Sequence, residues 1–170
     1  MRYQSFEPKV HPTAYVHPAA SLIGEVDIAE EASVWPSCVL RGDNGAITLG
    51  ARTSFQDGSI AHATLGQSKT SVGVECTVGH RVVLHGCTVG NNCLVGIGSV
   101  LLDGVELGDW CFVGAGSLLT PGKKFPPRSF ILGSPAKAVR EVSAKETEWI
   151  VHSWKVYQDL CRTYRAERGR

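Results

Sequence analysis

The chain has 170 residues, 17 basic and 16 acidic side chains, and a formal net charge of +1 at pH 7. That is the length of one domain with a substantial core, and the balanced charge excludes the electrostatic footprint of a nucleic-acid or membrane-surface binder. Six cysteines without a CxxC pair, and an N-terminus (MRYQSFEPKVHP) lacking the apolar run of a secretory signal, point to a reducing, cytoplasmic setting; no apolar run is long enough to span a bilayer.

From Val10 an apolar residue recurs every six positions, at Val16, Leu22, Ile28, Val34 and Leu40. After an insertion of three the series continues at Leu49, Phe55 and Ala61, and after a second insertion near Leu65–Ser71 it resumes at Val72, Val78 and Leu84. One shortened step leads to Val89, Val95, Leu101, Leu107, Val113 and Leu119. Four residues after most of these stands a small or β-branched residue, such as Ala32, Cys38, Thr53, Cys76, Cys93 and Cys111. Glycine often follows the apolar position directly, as at Gly50, Gly79 and Gly96.

A period of six fits neither a helix nor a hairpin series, and it is stricter than a β-sandwich requires. It fits a parallel β-helix, in which each hexapeptide is a short strand plus a corner and three hexapeptides close one triangular coil. Eighteen apolar positions give about six coils spaced roughly 4.8 Å apart. Cys38, Cys76, Cys93 and Cys111 then occupy the small inward position, where a free thiol packs as a small hydrophobe. Cys87 falls at a corner and Cys161 in the last segment.

The expected organisation is an all-β solenoid over 1–122, a Pro-rich connector over 123–142 and a C-terminal α-helix over 143–170. Ser143 and Glu146 form a capping box. Ile150, Trp154, Tyr157, Cys161 and Tyr164 make an apolar stripe at helical spacing, the expected seam against the solenoid.

The residues that can carry chemistry gather between Leu40 and His85. Leu40, Ala61 and Leu84 share one face of the coil, so Arg41, His62 and His85, each one position later, form an outward column. Rungs about 4.8 Å apart let His62 and His85 share a metal at zinc–nitrogen distances of about 2.0–2.1 Å. Asp57 and His80 each lie two positions after a residue of the preceding face and form a second column, with Gln56 beside Asp57. Faces of a convex prism point apart, so His80 joins the other two only from a second copy of the chain. Three prisms about a three-fold axis give three such sites and set Arg41 against a neighbour's Asp57. His11, His17 and His152 have no partners in this count and read as ordinary surface side chains.

At these residues the sequence resembles the gamma-class carbonic anhydrase family of trimeric, left-handed β-helix proteins. RGDNGAITLG, SFQDGSIAH and GHRVVLHG carry the likeness, which extends to the Gly133–Ala136 turn and the terminal helix. The resemblance implies left-handed coils and a homotrimer with His62, His80 and His85 binding zinc, with ferrous iron or cobalt as alternatives. It implies that Gln56 hydrogen-bonds the metal's water, that Arg41 and Asp57 pair across the interface with Asp43 supporting them, and that Tyr157 overhangs the site. Three neutral imidazoles around zinc lower the pKa of bound water toward about 7, which suits hydration of carbon dioxide to bicarbonate by a lyase.

The chain departs from the most active type of that family in two places. Asn44 stands where that type has an acidic residue, and the loop from Ala63 to Ser71 contains no carboxylate, so no proton carrier is evident and slow turnover is expected. Two other readings fit the scaffold. A hexapeptide acyltransferase uses one histidine beside an acyl-CoA, and a non-catalytic scaffold keeps the metal as a staple.

Overall fold

In the computed structural model, which describes residues 1–168, the six-residue period winds into a left-handed parallel β-helix of about seven turns followed by a single helix. The rungs Tyr15–Val16, Ser33–Val34, Ser54–Phe55, Thr77–Val78, Leu94–Val95, Phe112–Val113 and Ser129–Gly133 stack in that order on one face, each parallel to the next. On another face Leu40, Ala61, Leu84, Leu101 and Leu119 lie one above another. Every one of these five is fully buried, as are Val34, Phe55, Val78, Val95 and Val113. Burying each larger apolar side chain contributes about 1.5–3 kcal/mol, and a chain that slipped its register would lose a whole column at once.

Two strands are longer than the rest. Ser21–Ile28 and Val39–Leu49 pair with each other and run across two faces, with an irregular register between Gly24 and Val26. The three extra residues before Leu49 are taken up here, in the RGDNG stretch. A side chain on Gly42 would overlap the Glu25 carbonyl oxygen, so only glycine lets the two backbones approach. The glycines that directly follow the apolar positions serve the same purpose. Gly96 has no positive φ, yet a Cβ there would stand 2.6 Å from the Ala115 nitrogen of the next coil.

The structure extends the solenoid beyond its expected end. The six-residue spacing continues from Leu119 to Phe125 and Ile131, and the strands Lys124–Phe125 and Ser129–Gly133 pair in parallel with the coil before them. Ala136–Glu141 then folds back antiparallel on Ser129–Gly133. The passage 123–142 is therefore strand rather than a connector, and the coils number about seven rather than six. Its prolines suggested a linker, but Pro121 and Pro127 sit in turns, where the missing N–H breaks no ladder.

All six cysteines are free and buried. Cys87, expected at a corner, is packed in the core at 1% exposure. Burial pushes the Cys38 thiol up to about 11 and the Cys87 thiol up to about 12.

The helix Ala144–Arg168 begins as expected. The Ser143 N–H donates to Glu146 Oε2 at 2.8 Å, and the Glu146 N–H lies 3.3 Å from Ser143 Oγ. Ile150, Trp154 and Cys161 face the solenoid and are buried. The helix lies along the rungs Ser33–Val34, Ser54–Phe55 and Thr77–Val78. Tyr157 and Tyr164 meet the edge of Trp35 at centroid distances of 5.2 and 5.3 Å. No helix among the described residues is long and apolar enough to cross a membrane.

Candidate metal centre

His62 and His85 face each other. The strands Ile60–His62 and Val83–His85 pair in parallel with His62 opposite His85, one rung apart. The two rings stand 5.3 Å apart between centroids, and His62 Nδ1 lies 3.3 Å from His85 Nε2. Arg41 extends from the same column one coil earlier, since Leu40 pairs with Ala61.

The outer nitrogen of each ring is held by a carboxylate. His62 Nε2 is 3.1 Å from Asp43 Oδ1, and His85 Nδ1 is 2.8 Å from Asp103 Oδ2. Burial works against the charge on Asp43, but hydrogen bonds from Arg41 and His62 outweigh it and hold the carboxyl below its usual range. At Asp103 the same penalty is outweighed by hydrogen bonds from Ser68 and His85. An ionised carboxylate only accepts hydrogen bonds, so His62 Nε2 and His85 Nδ1 must carry the ring hydrogens. Asn44 Nδ2 also lies 3.3 Å from His62 Nε2. With that amide turned over, Asn44 would present its oxygen to the same ring nitrogen.

With both rings neutral, the inner nitrogens, His62 Nδ1 and His85 Nε2, face each other as lone pairs. Such a pair repels, and a proton shared between the nitrogens, or a metal ion bound by both from one side, relieves it. Two ligands in a tetrahedral zinc site, at about 2.0–2.1 Å from the ion, stand about 3.3–3.4 Å apart. The observed 3.3 Å matches that spacing, so these residues fit a zinc ion by donor type and distance.

His80 lies elsewhere. Phe55 pairs with Val78, which puts Asp57 beside His80 on the adjacent face, and His80 Nδ1 is 3.1 Å from Asp57 Oδ2. Its free Nε2 is 3.4 Å from the Tyr157 hydroxyl. Burial and the negative charge of Asp57 push the Tyr157 phenol up, which keeps it a hydrogen-bond donor. Among the described residues of one chain, no group of three or more His, Cys, Asp or Glu side chains could hold a metal ion. Two of the three expected histidines therefore meet, and the third projects from a different face.

The remaining site residues divide in the same way. Arg41 Nη1 bonds Asp43 Oδ2 at 2.5 Å, and Asp57 is engaged with His80, so within one chain Arg41 and Asp57 each have another partner. Gln56 is buried, and it lines a cavity of about 390 Å³ between the helix and the solenoid together with His80, Tyr157, Trp149 and Leu94. His152, read from sequence as an ordinary helix residue, lines this cavity as well. Asp103 was not singled out in the sequence at all. It lies two positions past Leu101, which pairs with Leu84, and so stands on the next coil beside Gly86, within reach of His85.

Comparison with known proteins places this scaffold. Residues 86–121 match the family described as bacterial transferase hexapeptide (six repeats), and residues 69–102 match the hexapeptide repeat of succinyl-transferase. The carnitine operon protein CaiE of Escherichia coli O127:H6 is 42% identical over 163 residues, which cover 94% of this chain and 83% of that protein. A Bacillus cereus protein provisionally named an acetyltransferase superposes with a TM-score of 0.95 at 34% identity, covering 97% of this chain and 95% of that one. A hexapeptide transferase family protein from Anaplasma phagocytophilum superposes with a TM-score of 0.92 at 37% identity, covering 96% of each chain.

Proposed function

As this chain belongs to the hexapeptide-repeat family that includes CaiE, we propose that it acts as a cytoplasmic homotrimeric metalloenzyme of the carbonic anhydrase type, hydrating carbon dioxide at its subunit interfaces. The observation that supports this most is the facing pair of imidazole nitrogens at 3.3 Å, each ring fixed from behind by a carboxylate. His62 and His85 would hold the ion, with His80 of a neighbouring copy as third ligand, and zinc, ferrous iron or cobalt would suit the donor set. When bound, the ion supplies a Lewis acid that lowers the pKa of water toward about 7. The chain's own residues do the rest. Asp43, Asp57 and Asp103 fix which nitrogen of each imidazole is free. Gln56 presents a neutral amide on the cavity wall beside His80, suited to orienting a small polar reactant. Tyr157 lines the same wall and places its hydroxyl 3.4 Å from His80 Nε2.

Acyl transfer is the second reading. The similar solved structures carry transferase names, and these names support a transferase more than a lyase. The cavity beside His80 also exceeds what carbon dioxide needs. An acyltransferase would use His80 as general base beside Tyr157 and would bind acyl-CoA without stoichiometric metal. One experiment separates the two. Protein purified without air is analysed for metal, then assayed by stopped-flow carbon dioxide hydration and by calorimetric titration with acetyl-CoA. About one metal per chain with hydration supports the first reading; metal-free protein that binds acetyl-CoA supports the second. Metal retained with neither activity marks a scaffold.

A further inference from the structure

We propose that Asp103, clamped by the loop between His62 and Thr70, is a positioning residue that decides which nitrogen of His85 is free to take a metal ion. The proposal rests on the metal-centre reading for its consequence, though not for its geometry.

Asp103 receives three hydrogen bonds. Ser68 Oγ donates to Oδ1 at 2.5 Å, Thr64 Oγ1 to Oδ2 at 3.2 Å, and His85 Nδ1 to Oδ2 at 2.8 Å. Ser68 Oγ in turn accepts from the Thr64 N–H at 3.0 Å, which closes the loop upon itself. The end of the loop is stitched to both histidine-bearing strands: Thr70 Oγ1 donates to the His62 carbonyl at 2.6 Å and accepts from the Gly86 N–H at 2.9 Å. Space for this arrangement exists because residue 86 is glycine. A Cβ there would overlap Asp103 Oδ1 and Ser68 Oγ, and its φ of +63° already disfavours a side chain.

The loop between His62 and Thr70 carries no carboxylate of its own, so its hydroxyls hold one from the coil beyond His85. Two hydroxyl donors leave Asp103 little freedom, and an acceptor fixed at Nδ1 leaves Nε2 as the lone pair aimed at His62. Without Asp103, either nitrogen of His85 could carry the hydrogen.

The test uses the full chain without metal and then with zinc. Histidine ¹⁵N NMR at pH 8, with His85 assigned by its loss in His85→Asn, reads the tautomer directly; zinc titration reads affinity; sedimentation and thermal melting read the fold. Wild type is expected to show hydrogen on His85 Nδ1. Asp103→Ala is expected to lose that preference and to bind zinc about 10- to 100-fold more weakly at unchanged oligomeric size. Asp103→Asn keeps an oxygen for Nδ1 and is expected to keep the tautomer, which covers the case of an alanine variant that folds poorly. Hydrogen on Nε2 in wild type overturns the proposal, and so does Asp103→Ala with wild-type tautomer and affinity. If wild type carries hydrogen on Nδ1, Asp103→Ala loses it and neither protein takes up zinc, the positioning role stands and the metal-centre reading falls.

Discussion

The shared-site geometry makes a counting prediction. Take one variant, His80→Ala, which keeps the His62–His85 pair, and another, His62→Ala with His85→Ala, which keeps only His80. Each alone is expected to lose metal at every interface. Apparent zinc affinities of about 10–16 kcal/mol spread over a few ligands leave roughly 3–4 kcal/mol per imidazole, or about 100- to 1000-fold in binding. Now co-express the two with different tags and purify trimers carrying both. In a ring of three with head-to-tail contacts, a mixed trimer has like chains meeting at one interface and unlike chains at two. Of the unlike pair, one presents His62 and His85 toward the neighbour's intact His80, and the other presents alanines to alanine. Every mixed trimer, whichever variant is in the majority, therefore holds about one metal ion against about three in wild type. Metal analysis by mass spectrometry on the doubly purified trimers reads the number. Mixed trimers as empty as their parents would refute the division of the site between chains.

Three further outcomes test the fold and its electrostatics. Glu146 is held down to about 2, first by hydrogen bonds from Arg140 and then by Ser143, against an ordinary value of 4.5. Its folded pKa lies below its unfolded one, so its contribution is complete above about pH 4.5 and disappears as the pH falls toward 2; urea midpoints across that range should fall less steeply in Glu146→Gln, and parallel curves would contradict the pairing. Phe55→Ala empties a fully buried position between Val34 and Val78 and should cost about 3–5 kcal/mol in urea unfolding; a loss under about 1 kcal/mol would mean the core can collapse around it. Because all six thiols are buried and those of Cys38 and Cys87 are pushed up to about 11 and about 12, a disulfide reagent at pH 8 should modify them only as the protein unfolds, and rapid labelling of native protein would count against the packing.

The solenoid was legible because a fixed period turns position into place. Once Leu40, Ala61 and Leu84 were counted onto one face, His62 and His85 had to be neighbours, and the structure pairs them in register. The same arithmetic put Asp57 beside His80. Where the count met a competing signal, the reading failed. Phe125 and Ile131 continued the spacing of six, but the prolines among them suggested a connector, since composition does not tell a corner from a linker. Asp103 was hidden for a different reason: it lies two positions past Leu101 while His85 lies one past Leu84, so a count of columns does not pair them, and the contact depends on where the side chains turn.

The carboxylates show why a site of this kind needs its scaffold. Asp43 lies in the long strand Val39–Leu49, Asp57 at a corner of the following coil, and Asp103 in the coil beyond His85. Asp57 and Asp103 each lie two positions after an inward apolar residue and Asp43 lies three after one, yet the three meet their histidines on different faces and coils. What they have in common is the consequence. Each accepts from one ring nitrogen, which in a neutral ring leaves the other as an acceptor: His62 Nδ1 and His85 Nε2 toward each other, and His80 Nε2 toward the Tyr157 hydroxyl. Three unrelated surface pairs would have no reason to agree in this. When both rings are neutral, the facing pair at 3.3 Å sets two lone pairs against each other inside one chain. A proton or metal ion shared by the two would relieve the repulsion, and on the proposed reading the backbone ladder and buried columns of the solenoid hold the two rings in place for it.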